Sequence, residues 1–437
     1  MSFRKQDESK YSAQTRLIHG KSQTDAWDYT HHVVPPLTRS SAFRLDSASR
    51  GAMGFEAFAK MYPDDPGYNP VYIYERLGEP TNNMLQQVLA NAEEKEAAVT
   101  FSTGMAAVSA ALMFLLEEGD EIISHRIVYG CTYSLFTLWF KKFGHKVKFF
   151  DFTNLDSLES LITDKTRIIY LESPANPNLE ILDLEAITKK VVELNQKRPE
   201  DRQIVTIMDN TFATPYSQRP ARFGIDIILH SLTKGLSGFG ATMGGAVICD
   251  QKYRDQLMMF RKDFGSSLAP DSAWNILVYG LPTLSLRMRK AQENAFEVAR
   301  FLEQQVEIEK VIYPGLKSFP QHEIAMRMLR DYDGNFAPGM MIYFILRGKD
   351  PQHARNRGER MMNFIAENSY AVTLAVSLGQ TRTLIEHPGS MTHSAYSAQE
   401  QINVGIDPGG IRLAIGLESS NDIIIDLDNA LRHIKNY

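Results

Sequence analysis

Between positions 97 and 249 the chain alternates short apolar runs rich in β-branched residues with stretches whose apolar residues recur every three or four positions. The runs predict strands at Ala97–Phe101, Glu121–Ser124, Val147–Phe152, Arg167–Leu171, Ile204–Met208, Ile225–His230 and Gly245–Cys249. The stretches between them predict helices at about Gly104–Glu118, Thr132–Phe143, Asp156–Ile162 and Leu184–Asn195, with another before the first strand at Asn82–Glu96. Strand and helix in alternation predict an α/β fold, a mostly parallel seven-stranded sheet covered on both faces. Beyond Leu268 the pattern changes to a long helix at Thr283–Gln305, then strands at Met340–Leu346, Tyr370–Ala375 and Ile411–Ile415, which predicts a smaller C-terminal α+β domain. Residues 1–80 are polar and irregular, with Pro35-Pro36 and a Gly/Pro/Asp-rich patch at 62–69. With too little periodicity for a core of its own, this segment is expected to wrap over a neighbouring domain or subunit as an arm. The divisions expected are therefore 1–80, 81–267 and 268–437.

Composition narrows the partners. A net charge of −5 and a pI near 6.2, without a Lys/Arg block, give no footprint for nucleic acid. Cys131 and Cys249 are the two cysteines of the 437 residues, too few and too far apart for a disulfide framework or a cysteine zinc site, and no metal is expected. The longest apolar stretch, 106–116, is about half of a membrane span, and no apolar leader follows the N-terminus. A reducing cytoplasm is the expected location.

Candidate chemistry gathers at predicted strand ends, where open α/β sheets bind ligands. The apolar run at Ile225–Leu229 delivers Lys234 into a loop with five glycines before the next strand. Placing a lysine between two buried strands disfavours its charged form, which is useful when a neutral amine must form a Schiff base with an aldehyde. The hydroxyls of Ser231 and Thr233 just before it suit a phosphate. The alternative is an exposed lysine in a flexible loop. Ser102-Thr-Gly-Met-Ala-Ala107 opens a helix after the first strand, so the N–H groups of Gly104 and Met105 can approach a phosphate at the positive end of the dipole; an ordinary capped helix start reads the same way. Tyr129, in Val128-Tyr-Gly-Cys-Thr-Tyr133, can stack on a flat ring or act as an acid, or simply pack. Asn176 sits in a turn broken twice by proline. Asp209 ends a run of Ile and Val, where a carboxylate needs a cation such as a protonated pyridine nitrogen. Arg76, two residues from Tyr74, can clamp a phosphate, or be a surface arginine. Arg412, between apolar neighbours, wants a carboxylate, whether of a substrate or of a structural salt bridge. No GxGxxG or GxxxxGK[ST] occurs at the strand ends.

In combination these strings carry a resemblance. YERLGEPT at 74, STGMAA at 102, ESPANPN at 172, DNTFATPY at 209, SLTK at 231, SLG at 377, EHPGSMTHS at 386 and IRLAIGLE at 411, in this order, resemble the Cys/Met-metabolism family of pyridoxal phosphate (PLP) enzymes over about residues 30–435. That family includes cystathionine γ-synthase, cystathionine γ-lyase, methionine γ-lyase and O-acetylhomoserine sulfhydrylase. The resemblance implies the type I, aspartate aminotransferase-like PLP fold, with Lys234 as the cofactor lysine and Asp209 as the partner of the pyridinium. It implies a phosphate cradle of Gly104, Met105, Ser231 and Thr233, with Asn176 on the ring hydroxyl and Tyr129 over the ring. It further implies that Tyr74 and Arg76 reach the phosphate of a neighbouring subunit in a homotetramer built from two dimers, and that Arg412 and Ser377 hold the substrate α-carboxylate. Val376, before Ser-Leu-Gly, and Cys131 resemble the methionine γ-lyase subgroup, whereas Gly238-Phe-Gly-Ala241 departs from the family's Gly-His-x-Asp and Gly379–Ile385 looks like the sulfhydrylases. The activity implied is γ-elimination from methionine, homocysteine or cystathionine; a γ-replacement transferase and a non-catalytic protein on the same fold are the alternatives.

Overall fold

The chain is described here from a computed structural model covering residues 10–19, 33–59, 71–391, 401 and 405–435. The Gly/Pro/Asp-rich patch lies outside the described residues. Seven strands form the first sheet: β1 (Ala97–Phe101), β2 (Glu121–His125), β3 (Lys146–Phe150), β4 (Thr166–Glu172), β5 (Val205–Asp209), β6 (Ile227–Ser231) and β7 (Gly245–Cys249). Their order is β1-β7-β6-β5-β4-β2-β3. β7 is antiparallel to both of its neighbours while every other pairing is parallel, so six strands share one direction.

The apolar runs are continuous because both faces are covered. Successive side chains alternate between faces. Val99, Ile207, Ile227, Leu229 and Val247 pack with the helix Gly104–Met113 on one side. Ala98, Met208, Ile228, Ala246 and Ile248 pack with Leu85 and Leu89 of the helix Pro80–Ala92 on the other. Glu79 starts that second helix by accepting the N–H of Thr81 at 2.7 Å, with Pro80 in the first turn, where its missing N–H costs nothing.

A second sheet has the order β10-β11-β12-β9-β8, built from β8 (Ile308–Ile312), β9 (Met341–Leu346), β10 (Val372–Leu374), β11 (Thr383–Glu386) and β12 (Gly410–Ala414). Its core is filled from the helices Leu284–Glu303, Pro351–Asn368 and Ser420–Ile434. β8 and β11 are additions to the strands expected from sequence. Helix Gln251–Phe264 is another addition.

The N-terminal segment is not wholly irregular: Ala13–His19 and Ala48–Ala59 are helical. Leu17 is buried against Met84, Leu85 and Val88 of the same chain. The indole N–H of Trp274 donates to the Pro35 carbonyl at 2.7 Å, and Arg39 pairs with Asp271. These described parts therefore lie on their own chain. Among the described residues no helix is long and apolar enough to cross a membrane.

Candidate active site

The carboxyl ends of β4, β5 and β6, the turn after β1 and the edge of the second sheet enclose a cavity of about 380 Å³. Lys234 reaches it from a turn just past β6, where its main-chain N–H donates to the Ser231 carbonyl at 3.2 Å. Burial holds the Lys234 ammonium below the usual lysine range, and the nearby charge of Arg412 adds to the effect. Its Nζ donates to the Ser377 hydroxyl at 2.7 Å. Ser377 has φ of +94°, a left-handed backbone that an L-residue adopts only when its surroundings impose it.

One end of the cavity is a cradle of donors. The Thr103 hydroxyl accepts the Ala106 N–H at 3.0 Å, while the N–H groups of Gly104 and Met105, in the first turn of their helix, have no carbonyl four residues back. Ser231 and Thr233 complete this end. The Thr233 hydroxyl is held against Gly244, accepting its N–H at 3.2 Å. A Cβ on Gly104 would stand 2.9 Å from the Cβ of Ser231, and one on Gly245 would stand 2.1 Å from the Thr103 carbonyl oxygen. The close approach of helix start and strand end thus depends on those two glycines.

On the next strand Asp209 accepts the Thr211 main-chain N–H at 2.8 Å, and the Thr211 hydroxyl accepts the Ser231 N–H at 2.9 Å, tying the ends of β5 and β6 together. Burial raises the Asp209 carboxyl above the usual range; the Thr211 hydrogen bonds and the charge of His230 work against that rise. A buried carboxylate at this position is completed by a cationic ligand group. An anion cradle, an amine and a buried carboxyl lining one cavity fit a phosphate, an aldehyde and a pyridinium nitrogen on one molecule, which is the donor set pyridoxal phosphate requires.

The wall nearest the second sheet is polar. Arg412 of β12 is buried and lies opposite Glu386 of β11, with its Nη2 3.1 Å from the Glu386 carboxylate. Its Nη1 donates to the Asn176 side-chain oxygen at 3.1 Å, and Nη2 also donates to the Ser377 carbonyl at 3.0 Å. Asn176 is therefore joined to Arg412, a link the sequence did not suggest. Of the two alternatives offered for Arg412, the salt bridge is present, to Glu386, and the same guanidinium lines the cavity.

Tyr129 caps the short helix Gly130–Ser134 and is 43% exposed at the cavity rim. Partial burial, then the Cys131 thiol beside it, pushes its hydroxyl above the ordinary phenol range. Val376 and Met243, 54% and 63% exposed, form the apolar part of the mouth. The remaining expectations do not meet here. Cys131 is exposed and adjoins the hydroxyl of Tyr129 without lining the cavity. Tyr74 and Arg76 stand outside it, Arg76 donating to the Lys262 carbonyl with its guanidinium 5.6 Å from the Tyr74 ring. Residues of the wall that sequence reasoning passed over are Glu172, Thr211, Phe212, Met243 and Glu386. The first three and the last lie within the strings ESPANPN, DNTFATPY and EHPGSMTHS, which was the available signal.

A lysine pocket of this kind, at the carboxyl edge of a mostly parallel sheet, suits the Schiff-base chemistry of enzymes that work through a carbonyl cofactor. The profile of the Cys/Met metabolism PLP-dependent enzymes matches residues 14–432. An L-methionine γ-lyase of Fusobacterium nucleatum subsp. polymorphum is 39% identical over 427 residues, 97% of this chain and 99% of that protein. A cystathionine γ-lyase of Dictyostelium discoideum is 33% identical, covering 97% of this chain and 98% of its own. Among solved structures, the cystathionine γ-synthase of Xanthomonas oryzae pv. oryzae superposes with a TM-score of 0.82 at 31% identity, over 98% of this chain and 99% of that one. The chain belongs to the Cys/Met metabolism family of PLP-dependent enzymes.

Proposed function

We propose that the chain is a carbon–sulfur lyase that performs γ-elimination on a sulfur amino acid, methionine foremost, giving a thiol, ammonia and 2-oxobutyrate with the uptake of one water. The observation that carries this reading is the joining of Lys234, Asp209 and Arg412 in one cavity whose mouth, at Val376 and Met243, is apolar. An apolar mouth suits an unbranched thioether better than the second zwitterion of cystathionine. The two relatives above, named methionine γ-lyase and cystathionine γ-lyase, support it further.

Bound PLP supplies an aldehyde for the substrate amine and a ring that withdraws electron density as Cα loses its proton. Arg412, aimed by Asn176 and the Ser377 carbonyl, binds the α-carboxylate and sets which Cα bond faces Lys234. Lys234, whose amine is biased toward the neutral form, is the base at Cα and carries the proton onward. The raised pKa of Tyr129 keeps its hydroxyl protonated at neutral pH, as an acid for a departing thiolate must be. Gly104, Met105, Ser231 and Thr233, which line the cavity, would hold the phosphate, and Asp209 the ring nitrogen.

The type I fold assignment, the divisions at 80 and 267, and a cytoplasmic location complete the reading. So does a homotetramer in which Tyr74 and Arg76 serve the cavity of a neighbouring subunit, a role consistent with their standing outside their own.

γ-Replacement is the second reading, favoured by the superposition on a cystathionine γ-synthase. Incubation with methionine, homocysteine, cystathionine, or O-acetylhomoserine with and without sulfide separates them. The lyase reading expects 2-oxobutyrate and methanethiol from methionine with no added nucleophile. Turnover only of activated homoserine, and only with sulfide or cysteine, would instead establish the transferase.

A further inference from the structure

The cavity holds a second buried carboxyl that the chemistry above does not use. Glu172, the last residue of β4, lies directly opposite Asp209, the last residue of β5, in parallel register. Both side chains therefore project from the same face of the sheet, and both line the cavity. Glu172 is 5% exposed. Its two oxygens stand 3.0 and 2.9 Å from the main-chain nitrogen of Tyr129, whose N–H donates to them, and the Tyr170 hydroxyl lies 3.4 Å from Oε1. The groups that face it are thus Asp209 from β5, Tyr170 from its own strand and Tyr129 from the start of a helix, with Lys234 and Arg412 across the cavity. Among the described residues no lysine, arginine or histidine forms an ion pair with it.

Two carboxyls side by side in dry surroundings make each other costlier to ionise, and their environments decide which keeps the proton. Asp209 has two hydrogen bonds from Thr211 and the charge of His230 to favour its anion. Glu172 has one main-chain N–H and one long contact from a phenol, and burial with the Asp209 charge beside it holds its carboxyl well above the usual range.

We propose that Glu172 is a positioning residue that stays a neutral carboxylic acid: it takes the proton of the pair so that Asp209 remains a carboxylate, and it pins the Tyr129 main chain so that the ring and hydroxyl of Tyr129 stand over the cavity. The proposal rests on the reading of Asp209 as the ring-nitrogen partner. It predicts an unusual tolerance. Glu172→Gln, which keeps the shape and one of the two acceptor oxygens without the acidic proton, retains cofactor affinity and kcat/KM to within about threefold. Glu172→Ala, which frees the Tyr129 N–H, lowers kcat by more than about tenfold.

The direct test is the infrared difference spectrum between the PLP-loaded wild type and Glu172→Gln at pH 8. A carboxylic-acid carbonyl stretch that shifts in D2O and vanishes in the variant is the expected result. A carboxylate band lost in its place overturns the proposal, as does a Glu172→Gln protein that folds but loses cofactor affinity tenfold or more. If Glu172→Ala does not fold, the spectrum and the glutamine variant still decide. Failure of the Asp209 reading shows separately, as an Asp209→Asn protein that keeps its cofactor affinity; the protonation of Glu172 is read from its own band in either case.

Discussion

At Lys234 the same burial that prepares an amine for chemistry works against folding. Its ammonium is depressed in the native protein, so at neutral pH the unfolded chain carries the proton more readily than the native one. The penalty is full below the depressed value and fades as pH rises toward the ordinary lysine range. Lys234→Met should therefore abolish turnover yet raise the melting temperature of the cofactor-free protein at pH 7, with the advantage shrinking at alkaline pH. Differential scanning calorimetry checks this; a lower melting temperature for the variant would mean that the amine is not desolvated. Arg412 presents the opposite case, a buried cation with three partners, and Arg412→Lys keeps the charge without the planar fork. Loss of one charge-assisted hydrogen bond to a substrate carboxylate is worth about 1.5–3 kcal/mol, on the order of a 10- to 100-fold fall in kcat/KM. Steady-state kinetics measures it, with equal turnover in the two proteins as the contrary result. The gathering of Lys234, Asp209 and Arg412 was legible in sequence because a charged side chain beside or within an apolar run demands a reason. Glu172 and Glu386 were not, because what marks them is the residue opposite on the next strand, Asp209 in one case and Arg412 in the other, and pairing is invisible in a linear pattern.

Among the elements, the strands of the first sheet were the most readable. β1 and β7 match their apolar runs end to end, since a strand buried on both faces leaves a continuous signature. β6 begins two residues later than its apolar run and extends to Ser231, because its last pairings are set by β7 and not by hydrophobicity. The helix Gln251–Phe264 escaped notice for the converse reason: its buried positions are Leu257, Met258 and Arg261, and an arginine facing inward breaks the expected stripe. That arginine donates to the Thr100 carbonyl at 3.0 Å, a tertiary contact no local pattern announces. The junction of β7 with the helix Gly104–Met113 carries a sharper consequence. Gly245→Ala would place a Cβ 2.1 Å from the Thr103 carbonyl oxygen, so backbone must move. A cost of about 1–3 kcal/mol in stability is expected, together with weaker PLP binding, because the displaced turn bears the N–H groups proposed to hold the phosphate. Urea denaturation and fluorimetric titration with the cofactor report the two effects; a variant unchanged in both would contradict the close packing assigned to this junction.

For the whole molecule, the arrangement of Tyr74 and Arg76 outside their own cavity makes a prediction about assembly. If those side chains complete a neighbour's site, Lys234→Ala and Arg76→Ala proteins, each nearly inactive alone, regain part of the wild-type activity when unfolded together and refolded as a mixture. A mixture no more active than its components would show that each chain works alone. Beneath assembly and substrate choice lies the claim that one amine of this chain, at position 234, takes up the aldehyde of PLP. Borohydride reduction of the PLP-loaded protein, followed by proteolysis and mass spectrometry of the peptides, tests it most directly. The account predicts a single reduced adduct, on the peptide that contains Lys234; an adduct confined to other lysines, or none after loading with excess cofactor, would contradict it.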